Sequence, residues 1–166
     1  MSEAKKIILG IDPGIARMGY GLISLEDSNI NHIAHGIIET DMNTPEHLRL
    51  GDIYKTLQSM VKQYNPHVIA VEDIFYFKNQ KTLITVSQAR GIVLLLAADN
   101  HKQCYSFTPL QVKQAVTGYG QADKKQVQSM VKNLLKLNEV PHPDDAADAL
   151  AVAMCCASSL NYLERT

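Results

Sequence analysis

The chain has 166 residues, a formal net charge of −1, three cysteines and no tryptophan, which is enough to build one core without disulfides or structural metal. No apolar run approaches the roughly 20 residues of a bilayer span, and the polar start, residues 1–6, lacks a secretory cleavage pattern, so a cytoplasmic protein with no membrane contact is expected. Cys104, Cys155 and Cys156 are odd in number and without C-x-x-C spacing, which argues against a disulfide framework or zinc site and for small buried apolar side chains.

The first element is a strand over Lys6–Asp12, where Ile7, Ile8, Leu9 and Ile11 form a nearly continuous apolar run closed by Asp12-Pro13-Gly14; such a run marks a central strand covered on both faces. Strand-like stretches at 18–25, with Gly19 and Gly21 inside it, and at 31–40 are separated by polar Glu26-Asp27-Ser28-Asn29, which suggests an antiparallel meander. Residues 45–64 carry Leu48, Ile53, Leu57, Met60 and Val61 close to helical spacing until Asn65-Pro66 breaks the pattern. A short strand over 67–71 ends in Glu72-Asp73. The long helix 81–99 is apolar all round in its second half, which predicts burial on more than one side. A last strand, Gln103–Phe107, precedes helices at Pro109–Thr117, 124–137 and 144–160. The order βββαβαβ followed by helices predicts one α/β domain over residues 1–166, a mixed five-stranded sheet with helices on both faces, and disorder in the last few residues.

Charge is unevenly spread. From Lys78 to Lys136 nine basic residues face two acidic ones, giving +7 there and −8 elsewhere. A basic region beside an acidic one suits a protein that holds phosphates while gathering carboxylates around cations.

The acidic residues sit where elements end: Asp12 after the first strand, Glu72 or Asp73 after the fourth, and Asp144, Asp145 and Asp148 at the start of the last helix. Strand ends of an open α/β sheet converge on the ligand crevice. Asp145 and Asp148, three apart on a helix, share a face, and so do Asp144 and Asp148; spacing does not choose between them. Asp144, directly after Pro143, is also the best helix-capping candidate. Carboxylates about 4 Å apart repel by roughly 4 kcal/mol per pair at an effective dielectric near 20, so such a cluster needs cations. All-oxygen ligands suit Mg²⁺, and two ions flanking a phosphodiester suit its hydrolysis by in-line attack.

These residues carry a resemblance. Ile-Asp-Pro-Gly at 11–14, Arg17-Met18-Gly19-Tyr20-Gly21, Glu72-Asp73-Ile74-Phe75 with Lys78-Asn79, Gln88-Ala89-Arg90-Gly91, Gln111-Val112-Lys113-Gln114, Lys125-Gln126-Val127 and 145–150, Asp-Ala-Ala-Asp-Ala-Leu, recur in this order in the RuvC Holliday junction resolvases, which the chain resembles from about residue 7 to 155. The resemblance implies an RNase H-like fold, and Asp12, Glu72, Asp145 and Asp148 as catalytic ligands of two Mg²⁺, with Mn²⁺ able to substitute. It implies a homodimer, formed through the helix 81–99, that makes paired symmetric nicks in a four-way DNA junction during recombination and repair, with the branch-migration proteins RuvA and RuvB as partners. By the same resemblance one ring of the aromatic run Phe75-Tyr76-Phe77 stacks on an unpaired base, Phe75 being the candidate and the sequence not choosing among the three, and Lys78, Arg90, Lys113, Lys124 and Lys125 are expected to contact DNA. His142 reads as a loop residue. An actin-like ATPase also starts with an Asp-x-Gly turn but needs two such domains around its nucleotide; another RNase H-like nuclease would keep the carboxylates without the basic stretch 113–132.

Overall fold

Strands β1 (Lys6–Asp12), β2 (Arg17–Glu26) and β3 (Asn29–Glu39) form the expected antiparallel meander in the computed structural model, which describes residues 4–74 and 79–164. Then come α1 (Glu46–Tyr64), β4 (Val68–Glu72), α2 (Gln80–Asp99), β5 (Gln103–Phe107), α3 (Pro109–Thr117), α4 (Lys124–Leu134) and α5 (Asp144–Leu163). The sheet runs β3-β2-β1-β4-β5, with β4 parallel to β1 and β5 parallel to β4. Thus β1 is central, as its two-faced apolar run requires.

Side chains alternate between the two faces of a strand, and this sorts the core. Ile8, Val68 and Ala70 pack with α3, α4 and α5, whereas Leu9, Ile11, Ile69 and Val71 pack with α1 and α2. Asp12 follows Ile8 and Gly10 in phase, and Glu72 follows Val68 and Ala70. Both carboxylates therefore belong to the α5 face.

Helix α5 lies on the backbone of β1 and β2. A Cβ at Gly19 would stand 1.9 Å from the Asp145 carbonyl oxygen, and one at Gly10 would stand 2.2 Å from that of Ala149. Because Gly19 is paired with Asp12 in the sheet, this approach sets the first turn of α5 beside the end of β1. The helix matches the sheet with small residues of its own: Ala146, Ala149 and Ala153 are fully buried.

On the opposite face α2 departs from expectation. Ala89, Val93, Leu96 and Ala97 are buried, but Ile84 is 59% exposed and Leu95 50% exposed, and Leu94 and Gly91 also face outward. The second half of the helix is apolar all round, yet among the described residues the sheet and α1 are what chiefly cover it, and its other face is exposed. By length and composition α2 is the one helix among the described residues apolar enough to span a bilayer. Its mid-helix Arg90, however, is paired with Asp73 and Ser106.

Element ends differ slightly from the sequence pattern. Helix α4 stops at Leu134 rather than 137 because Lys136 turns left-handed (φ 54°) and Leu137 N–H donates back to the Lys132 carbonyl. Helix α5 runs three residues past 160, and residues 165–166, where disorder was expected, lie outside those described. The three cysteines are unpaired, and burial pushes the Cys155 and Cys156 thiols up to about 11 and about 12.

Adding one methyl at the α5–sheet contact forces two backbones apart. Gly19→Ala is expected to cost about 2 kcal/mol and lower Tm by about 5 °C, read by calorimetry; an unchanged Tm would mean that α5 does not rest on Gly19.

Candidate active site

Asp12 and Glu72 end adjacent parallel strands whose preceding residues, Ile11 and Val71, are register partners. Their carboxyl groups share a hydrogen bond. Asp145 and Asp148 reach the same place from the first two turns of α5. The N-terminus of that helix has no side-chain cap, since its N-cap is Pro143. Asp144, the capping candidate, turns instead to α4, where its Oδ2 lies 3.2 Å from Lys124 Nζ and its Oδ1 accepts from Gln128 Nε2 at 3.0 Å.

Of the two residues left open at the end of β4, Glu72 points toward Asp12. Asp73 pairs with Arg90 at 3.4 Å and its own backbone N–H donates to Phe107. Of the pair on α5, Asp145 flanks the cluster beside Arg17, while Asp144 lies outside it.

The cluster is short of positive charge. Burial, and then the carboxylates of Glu72, Asp148 and Asp145, push the Asp12 carboxyl up to about 8, against the pull of Lys124. Burial and Asp148 push Glu72 up to about 7, although its hydrogen bond with Asp12 and the charges of Lys124 and Lys113 act the other way. Asp148 is raised by burial and opposed by Lys124, whose Nζ is 3.3 Å away. Desolvation disfavours a carboxylate and like charges add to that; together they hold Asp12 and Glu72 close to protonation.

Three cations stand at the edges. Lys124, on the first turn of α4, and Lys113, on α3, line a cavity with Glu72 and Asp148. Arg17 lies 3.5 Å from both Asp145 and Glu39 and lines the mouth of the site with Asp12, Gly14, Glu72 and Asp145. A second polar cleft, shared by Arg17 and Lys124, takes in His142. Arg17 was not singled out as a site residue from sequence, and Asp144 entered only as the alternative to Asp145 and as a capping candidate. The signal for Arg17 is proximity alone, since it sits five residues after Asp12.

The other expected DNA contacts are dispersed. Lys125 lines a separate cleft between α3 and α4 with Tyr119 and Met130. Arg90 donates to Ser106 Oγ at 2.7 Å, and its buried Nε has no hydrogen-bond partner among the described residues. Phe75, Tyr76, Phe77 and Lys78 lie outside the described residues.

As they stand, no three His, Cys, Asp or Glu groups among the described residues close into a ready cage for a metal ion; Asp145 leans on Arg17 and Asp148 on Lys124. The donor set is nevertheless all oxygen, partly buried and under-neutralised, which fits a hard divalent cation.

Comparison with known proteins agrees with this picture. The family model for crossover junction endodeoxyribonuclease RuvC matches residues 8–156. The chain is 51% identical over 158 residues to the crossover junction endodeoxyribonuclease RuvC of Caldanaerobacter subterraneus subsp. tengcongensis, covering 95% of this chain and 96% of that protein. The structure superposes on Thermus thermophilus RuvC with a TM-score of 0.87 at 32% identity, over 94% of this chain and 96% of that one. It also superposes on Thermus thermophilus RuvC in complex with a Holliday junction substrate, with a TM-score of 0.86 at 30% identity and the same coverage. The fold is the RNase H-like one of these resolvases.

The charge crowding has a measurable sign. A carboxyl whose folded pKa is raised above its unfolded value contributes stability below the unfolded pKa, and that stability is lost as pH rises through the folded one. Without divalent cations the protein is therefore expected to lose stability between about pH 4 and pH 8. Asp12→Asn should raise Tm by about 5 °C at pH 8 and have little effect near pH 4; equal shifts at both pH values would contradict the crowding.

Proposed function

This chain belongs to the RuvC family of crossover junction endodeoxyribonucleases, and we propose that the carboxylate cluster at Asp12 is the centre with which it cuts. It resolves four-way (Holliday) DNA junctions in recombination and repair. In this reading residues 1–166 act as one nuclease domain in the cytoplasm, and the cuts are paired, symmetric nicks in two opposed strands.

The observation that carries the assignment is the convergence of Asp12, Glu72, Asp145 and Asp148 with too little positive charge among them. These four would hold two Mg²⁺, with Mn²⁺ able to substitute. When bound, the ions supply Lewis acidity toward water and phosphate. The protein's own part is positional. The strand ends fix Asp12 and Glu72, and the α5 turn fixes Asp145 and Asp148. Their negative charge, kept in a partly dry site, becomes affinity for cations once ionised.

Lys113 and Lys124 supply ammonium groups on the α3–α4 side, where they attract the phosphate backbone and offset the charge that builds on a phosphate under attack. Arg90 and Lys125 are outer backbone contacts, Phe75 stacks on a base exposed at the crossover, and Lys78 holds the strand beside it.

The enzyme acts as a homodimer, and the support is α2. Ile84, Gly91, Leu94 and Leu95 form an exposed, largely apolar stripe, and a stripe on one helix meets its own copy across a two-fold axis, which gives two identical sites to a two-fold junction. RuvA and RuvB are the branch-migration partners in this reading.

Two experiments check it. A synthetic four-way junction and a matched linear duplex are incubated with the protein in Mg²⁺ or in EDTA. Paired nicks in the junction alone are expected, abolished by EDTA and reduced at least about a hundredfold by Asp12→Asn while junction binding persists. Equal cutting of the duplex would point instead to another RNase H-like nuclease. In sedimentation at micromolar concentration, Leu95→Glu should turn a dimer into a folded monomer; a variant that stays dimeric would exclude α2 as the interface.

A further inference from the structure

We propose that Asp144 is a positioning residue that holds Lys124 at the catalytic centre. The inference rests on the reading of that centre given above. Lys124 Nζ is shared between two carboxylates, Asp148 at 3.3 Å and Asp144 at 3.2 Å. Asp148 is partly buried and belongs to the cluster. Asp144, with 57% of its side chain exposed, does not.

Asp144 is itself braced. Its Oδ1 accepts from Gln128 Nε2 at 3.0 Å, one turn along α4 from Lys124, and it occupies the first residue of α5, whose N-terminal end favours a negative charge. The arrangement ties the first turns of α4 and α5 together through one carboxylate.

The consequence follows from the competition at Asp148. A cation taken up by Asp148 repels the ammonium and removes one of its two partners. A lysine held by Asp148 alone would be released into solvent along a flexible four-carbon stem. With Asp144 in place the ammonium keeps a charge-assisted hydrogen bond at the rim of the site, where it can meet a phosphate oxygen. Asp144 neither touches the substrate nor joins the ligand set; it acts through Lys124.

Neutralising Asp148 by Asp148→Asn imitates the loss of that partner without any metal. In the metal-free protein, ¹H–¹⁵N spectra of lysine ammonium groups should keep a resolved Lys124 signal in Asp148→Asn and lose it in Asp148→Asn/Asp144→Ala, because a released ammonium exchanges its protons too fast to be seen. Loss in Asp148→Asn alone, or persistence in the double variant, would overturn the proposal.

In single-turnover junction cleavage with Mg²⁺, Asp144→Ala should lower the rate about three- to tenfold, as expected for coupled neighbours, with junction Kd within twofold. Asp144→Glu should restore the rate. In a Lys124→Ala background, Asp144→Ala should change nothing further; an undiminished effect there would make Asp144 a structural or electrostatic residue instead. If the wild type leaves the junction uncut, the assignment of the centre fails; if the wild type cuts and Asp144→Ala matches it, only the present proposal fails.

Discussion

Everything at the site depends on how closely α5 can approach the sheet. A helix packed on a sheet through ordinary side chains is held off by them, yet here glycines at positions 10 and 19 let the helix backbone touch the strands. The contact is steric, and it fixes both depth and register. Asp145 is carried to the strand position opposite Asp12, and Asp148 one turn further in. Without that approach the carboxylates of β1 and β4 would face a helix too distant to join them.

Close approach brings an electrostatic difficulty. Four carboxylates gathered in a partly dry place repel one another, and the fold only partly relieves this. Asp12 and Glu72 drift toward protonation, while Arg17 and Lys124 each lean on one of the helical aspartates. The strain is local and reversible, as expected of a site whose charge is completed by something that comes and goes. It is concentrated where the central strands meet the closely packed, deeply buried helix α5.

Much of this was legible in the sequence, and the reasons are physical. The apolar run of β1, the polar interruption at 26–29 and the break at Asn65-Pro66 are local signals that local structure obeys, and the element order followed from them. The motifs at 11–14, 72–75 and 145–150 led to the family. Strand alternation also separates Glu72 from Asp73, once Val68 and Ala70 are known to face α5. What sequence did not show depends on contacts across the chain. The role of Asp144 turns on Gln128 and Lys124, sixteen and twenty residues earlier, and the capping rule that favoured it describes a helix end in isolation. Periodicity alone did not show the open face of α2, for a similar reason: an all-apolar helix implies that every side is covered, but not that the same chain covers it.

The leaning of Arg17 on Asp145 and of Lys124 on Asp148 has a thermodynamic consequence. Whatever anion draws either base away leaves a carboxylate with uncompensated charge and strengthens its hold on a cation. By reciprocity, a cation settled among the carboxylates strips Arg17 and Lys124 of their partners in the cluster and strengthens the pull of both on an anion, Lys124 while still tethered by Asp144. The two kinds of ligand therefore promote each other's binding through side chains that neither has to move far, and the resting protein, in which each helical aspartate already leans on a base, has a weaker appetite for either one alone.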